Sequence, residues 1–100
     1  MYVRTSRYSF TGDGKAKGAE IFQDIAVPLW SGQPGFHSVS RFQITEGQYK
    51  GQQLVVLRFK DKATMDTARG NIKNQRDTML KNLEAAGVKL EESMELEEIA

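Results

Sequence analysis

The sequence predicts an α+β domain, a four-stranded antiparallel sheet with two helices packed on one face. Three observations predict it. Four segments, 2–10, 36–44, 53–60 and 88–96, carry β-favouring residues, partly in two-residue alternation. Two longer segments instead repeat apolar residues every three or four positions. Clusters of Gly, Pro and Asp punctuate them in the order strand, helix, strand, strand, helix, strand.

The first strand runs from Tyr2 to Phe10 and is rich in aromatic and β-favouring side chains. Thr11-Gly12-Asp13-Gly14 is turn chemistry, and Asp13 is placed to cap the helix that follows. That helix carries Ile21, Phe22, Ile25, Ala26, Leu29 and Trp30 as its core stripe. Pro28 lies inside the stripe, so a kink or an end is expected there, because proline lacks the backbone donor. Ser31 to Gly35 is a loop, Phe36 to Ile44 a second strand, and Thr45 to Gln52 a glycine-containing hairpin connection.

The third strand, Gln53 to Lys60, is apolar on both faces, with Val55, Leu57 and Phe59 on one side and Leu54 and Val56 on the other. Asp61 caps one long second helix whose stripe is Met65, Ala68, Ile72, Met79, Leu80 and Leu83. Gly70 weakens its middle and Gly87 suits its C-terminal cap. Val88, Leu90, Met94 and Leu96 then alternate with acidic residues on a fourth strand. The order β-α-β-β-α-β is that of a ferredoxin-like sandwich. Helices cover only one face of such a sheet, so the second apolar side of the third strand needs another cover. A second copy of the chain, docked through the sheet face as a homodimer, is the simplest one.

One hundred residues make a single domain spanning 1–100. Hydrophobic residues at 39% and charged residues at 27% place the chain among globular proteins and not disordered ones. Lys and Arg total 14 against 13 Asp and Glu, so nothing in the charge draws the chain to nucleic acid or anionic membrane. With no cysteine, disulfides, thiolate–metal sites and cysteine nucleophiles are excluded. No signal peptide is visible and no apolar run approaches the ~20 residues of a membrane helix, so a cytoplasmic protein is expected.

Several residues are candidates for chemistry. His37, the single histidine, follows a loop and is the one side chain that ordinarily titrates near neutrality; it is either a general base at a pocket mouth or a polar residue opening a strand. Trp30, the single tryptophan, either packs in the core or walls an apolar pocket. Arg4, Arg41 and Arg58 lie on three strands. They bind an anionic oxygen of a ligand through forked hydrogen bonds if they point inward, or pair with the acidic fourth strand if they do not. Tyr2, Tyr8 and Tyr49 offer hydroxyls, Tyr49 from the hairpin loop, where it is exposed or reaches a partner chain. Gly12 to Gly18 matches no phosphate-loop pattern, and the carboxylates of Glu91 to Glu98 lack the spacing of a calcium loop. No metal or cofactor is called for.

Pro34-Gly35-Phe36 opens a strand after a helix, and Leu54-Val55-Val56-Leu57-Arg58-Phe59-Lys60-Asp61-Lys62-Ala63 runs a strand directly into a helix. In these features the chain resembles the dimeric α+β barrel superfamily, and within it the antibiotic-biosynthesis-monooxygenase-like proteins. The resemblance implies two sheets packed face to face, with a pocket in each subunit between its own sheet and helices. It also implies a choice of activities, cofactor-independent monooxygenation among them. Haem-degrading members use an Asn on the first strand and a His on the second helix, and neither is present here.

Two functions follow as expectations. One is a small enzyme acting on an apolar or aromatic compound, monooxygenase-like and cofactor-free. The other is a non-catalytic dimer for small-ligand binding or assembly. RNA-recognition domains share the strand–helix order, but aliphatic residues follow Lys50-Gly51 where stacking rings belong.

Overall fold

The computed structural model describes residues 1–99, which form β1 (Tyr2–Phe10), α1 (Gly14–Ile21), a π-helical segment (Phe22–Ala26), α2 (Val27–Ser31), β2 (Phe36–Gln43), β3 (Gln53–Phe59), α3 (Lys62–Asn71), α4 (Lys73–Ala85) and β4 (Val88–Glu97). The sheet order is β2-β3-β1-β4 with every neighbouring pair antiparallel, so the doubly apolar β3 is central as expected. The ferredoxin-like prediction holds.

Pro28 does not end its helix. The Val27 N–H donates to the Phe22 carbonyl five residues back, which makes the preceding turn π-helical. A proline ring collides with the carbonyl four residues earlier, here Asp24, and a widened turn lets the helix pass it. The wider turn also shifts the buried face. Ala26 and Trp30 stay inside, whereas Ile25, expected in the core stripe, is 40% exposed.

The second helix is two, α3 and α4, broken at Ile72 just after Gly70, with the apolar stripe continuing through both as buried Met65, Ala68, Ile72, Met79 and Leu83. Asp61 caps α3 as predicted: the Thr64 N–H donates to Asp61 Oδ1 at 2.8 Å, and Thr64 Oγ1 faces the Asp61 N–H in return. Asp13 precedes α1 but makes no side-chain cap. Gly87 takes φ +95, which only glycine adopts freely, and its carbonyl accepts from the Thr11 N–H at 2.8 Å. That bond ties the start of β4 to the turn after β1.

The sheet's two faces follow from register. Tyr2, Arg4, Ser6 and Tyr8 on β1 stand opposite Phe59, Leu57, Val55 and Gln53 on β3, and these face the helices. Val3, Thr5 and Arg7 stand opposite Arg58, Val56 and Leu54 on the other face. In β4 the register slips by one between Arg7 and Tyr8, leaving Glu91 as an extra residue. Val88 and Leu90 therefore point toward the helices, whereas Met94 and Leu96 point away, although all four are even-numbered. The fourth strand's simple alternation is thus corrected: past the bulge it is Glu95 that turns to the helix side.

The helix-side core forms two clusters. Trp30, Leu57, Phe59, Met65, Ala68 and Ile72 make one, in which the Phe59 ring meets Trp30 and Phe36 edge-on at 5.9 and 6.0 Å. Ala26, Met79, Leu83 and Val88 make the other. The opposite face carries Val3, Leu54 and Val56 with Phe42, Met94 and Leu96, the last three 50%, 48% and 45% exposed. The hairpin connection folds back at one end of this face, where Arg7 lies 3.5 Å over the Tyr49 ring and donates to Gln52 Oε1 at 2.5 Å.

Candidate functional site

Between the two core clusters, the sheet and helices enclose a cavity of about 80 Å³. That is several times the ~10–15 Å³ a single buried water needs. Its walls are largely apolar: Phe10, Val39 and Leu57 rise from the sheet, and Phe22, Trp30 and Met79 descend from the helices. Into this apolar space come Arg4 and Tyr8 from β1, Arg41 from β2 and Arg76 from α4.

Three of the five residues singled out by sequence are brought together here. Arg4 and Trp30 line the cavity, Trp30 while also packing on Phe59, and Arg41 stands at its exposed rim with its guanidinium 5.1 Å from the Phe22 ring centre. The other two are placed elsewhere. Arg58 lies between the inward-facing Leu57 and Phe59, so alternation sends it to the opposite face, where it donates to Ser38 Oγ at 3.4 Å. His37 occupies the register irregularity between Phe36 and Ser38, is exposed, and has Nδ1 3.1 Å from Ser38 Oγ. Neither lines the cavity.

Arg76 escaped the sequence reading. Its signal was there: 72, 76, 79 and 83 are spaced four, three and four apart, so an arginine stands inside the apolar stripe of α4.

The site is electropositive. Burial lowers the pKa of Arg4, aided by the neighbouring Arg76 and Arg69 charges and opposed by Glu95. Burial pushes the Tyr8 phenol up, with the Ser6 hydroxyl and the Arg4 and Arg76 charges pulling it back. Tyr8 is therefore a neutral hydrogen-bond donor at physiological pH. Among the described residues no carboxylate lines the cavity. Glu95, opposite Arg4 across the β1–β4 ladder, gives its carboxylate to Arg69 on α3 at 2.5 Å, which holds it below the usual glutamate range. Among the described residues no group of three or more His, Cys, Asp or Glu is arranged to hold a metal ion, and no helix is long and apolar enough to cross a membrane.

No protein-family model matches the sequence, and no curated protein matches it significantly. Solved structures match the fold over nearly its whole length. SnoaB, a cofactor-independent oxygenase from Streptomyces nogalater, superposes with a TM-score of 0.75 at 15% identity, covering 99% of this chain and 93% of that one. A monooxygenase from the gene ActVA-Orf6 of Streptomyces coelicolor, solved with the ligand nanaomycin D, gives 0.72 at 10% identity over 99% and 88% of the two chains. A candidate antibiotic biosynthesis monooxygenase from Deinococcus radiodurans gives 0.71 at 16% identity over 100% and 94%. At these identities the likeness establishes a shared fold, that of the antibiotic-biosynthesis-monooxygenase-like proteins, as the resemblance implied.

Proposed function

We propose that this chain works as a homodimer, joined through its open sheet face, and oxidises a small electron-rich aromatic compound in the sheet–helix cavity without a cofactor. The observation that carries this reading is the apolar cavity into which Arg4, Arg76 and the neutral Tyr8 project. Cofactor-free oxygenation needs a substrate that itself supplies the electrons. A phenol does so once ionised, and guanidinium charges in a low-dielectric pocket favour the phenolate. The proton leaves through the mouth beside Arg41. In a naphthol-type substrate one atom of O2 becomes a new ring carbonyl and the other leaves as water. That water takes the hydrogens lost from the phenol oxygen and from the attacked ring carbon, and all the electrons come from the ring. Tyr8 donates a hydrogen bond to the oxygen on which negative charge develops. The fold neighbours described as oxygenase and monooxygenase support the reading by analogy of architecture.

One observation favours a second reading, binding without turnover. Among the described residues the cavity lining carries no histidine, aspartate or glutamate, the side chains that ordinarily serve as a base near neutrality. An oxygen electrode separates the two. Turnover predicts protein-dependent O2 uptake with a panel of naphthols and dihydroxynaphthalenes, diminished in Tyr8→Phe. Probes that bind while O2 stays constant across the whole panel would establish the second reading.

A further inference from the structure

The arginine side chains that find a protein acceptor are Arg7, Arg58 and Arg69. Among the described residues Arg4, Arg41 and Arg76 make neither a side-chain hydrogen bond nor an ion pair, yet all three line the same cavity, Arg4 and Arg76 half-buried. The acceptor best placed for Arg4 is Glu95, its direct partner across the β1–β4 ladder, and Arg69 occupies that carboxylate. Two half-buried guanidiniums on an apolar space, one from the sheet floor and one from the helix roof, are a costly arrangement without a counter-charge. An anion between them completes it. A planar carboxylate matches the guanidinium fork, and a single negative charge suits a small, mostly apolar cavity better than a phosphate dianion does.

We infer that the ligand is a small aromatic carboxylate, its carboxylate clamped between Arg4 of β1 and Arg76 of α4 and its ring set against Phe22, Trp30 and Leu57. This rests on the reading of the cavity as a ligand site and adds the chemical class of what fills it. The clamp also fixes orientation. The charged end lies between Arg4 and Arg76, so on a substrate that is turned over the phenolate at the far edge of the ring is left to Arg41 and Tyr8. Because the arginines come from opposite layers, the ligand bridges sheet and helices across the gap between the two core clusters.

The test titrates the intact protein with 2-naphthoate, its neutral isostere 2-naphthamide, and 2-naphthol by calorimetry, with thermal melts of every sample. Hydrogen bonds to charged groups imply that naphthoate binds roughly 10- to 100-fold tighter than the amide. Arg4→Gln and Arg76→Gln should each erase most of that preference, and Arg76→Lys should keep part of it. Melting without ligand adds an independent readout. Relieved of an uncompensated charge, Arg76→Gln should melt no lower than the parent. Equal affinity for acid and amide, a preference surviving both glutamine variants, or an Arg76→Gln protein that fails to fold would each overturn the inference. Tightest binding of naphthol would overturn it in favour of a phenolate anchor. Naphthoate binding without O2 uptake on any hydroxylated analogue leaves the clamp standing while removing the oxygenase reading. Uptake on neutral phenols with no preference for the acid does the reverse.

Discussion

Arg69 and Glu95 join α3 to β4 at 2.5 Å, and the carboxylate they share lies in direct register with Arg4. One ion pair therefore has two effects. It fastens a helix to an edge strand, and it withholds from Arg4 the acceptor that would otherwise offset its charge. Side-chain exposures of 29% and 37% put the pair near the surface, so its own worth is about 0.5–1 kcal/mol.

That pair should be visible in acid. Arg69 depresses the Glu95 pKa chiefly through the hydrogen bond it donates. A depressed carboxylate contributes stability that is complete above its unfolded value of about 4.3 and is lost as the pH falls through its folded value. Urea denaturation from neutral to about pH 3 should show Glu95→Gln less stable by roughly 0.5–1 kcal/mol at neutrality. The gap to the parent should close toward the acid end, and a gap constant with pH would contradict the assignment.

Tyr8 should be visible in alkali. Its phenol is raised by burial, so it binds its proton more tightly folded than unfolded. Its contribution is then complete below about pH 10 and is lost as the pH rises through the folded value. Spectrophotometric titration of the three tyrosines should show one ionising late, at or near alkaline unfolding. Tyr8→Phe should remove that late step. A late step that persists in Tyr8→Phe, or none in the parent, would refute it.

Two glycines should respond in opposite directions to the same change. A Cβ on Gly14 would strike the Gly87 carbonyl where the α1 start meets the turn before β4. Gly14→Ala should therefore destabilise by about 1–3 kcal/mol despite alanine's better helix propensity. Gly70, within α3, has nothing within 4 Å of its Cβ position. Gly70→Ala should stabilise by roughly 0.5–1 kcal/mol, a few degrees in Tm for a domain of this size. Thermal melts of the two variants check both.

The proposed dimer can be broken by charge. Phe42 and Met94 are half-exposed on the face away from the helices. Met94→Lys and Phe42→Lys should each shift sedimentation from the two-chain to the one-chain species at micromolar concentration, with the far-UV spectrum unchanged. A parent protein that sediments as a single chain would end the paired-sheet reading.

The local features were legible in the sequence. The Asp61–Thr64 cap, the Gly87 turn and the central place of β3 follow from chemistry contained in a few neighbouring residues. What escaped depended on counting residues across elements. Because β3 is apolar on both faces, alternation fixed that Arg58 opposes Leu57 but not which of them faces the cavity. The irregularity at His37 and the extra Glu91 have no signature in composition. The π-helical segment was foreshadowed by Pro28, which announced a disturbance without saying that the helix would absorb it. Arg76 is legible only when a cation is admitted to the apolar stripe of α4.

The extra residue in β4 makes that strand a splice between two reading frames. Before it, even-numbered side chains serve the interior of this subunit; after it, they serve the exposed side. Substitutions change one surface at a time, and most positions should absorb them. A single residue inserted between Glu92 and Met94 would behave like a frameshift in space, turning Met94 and Leu96 inward and casting Glu95 out of reach of Arg69. Length, more than composition, is what this strand cannot vary.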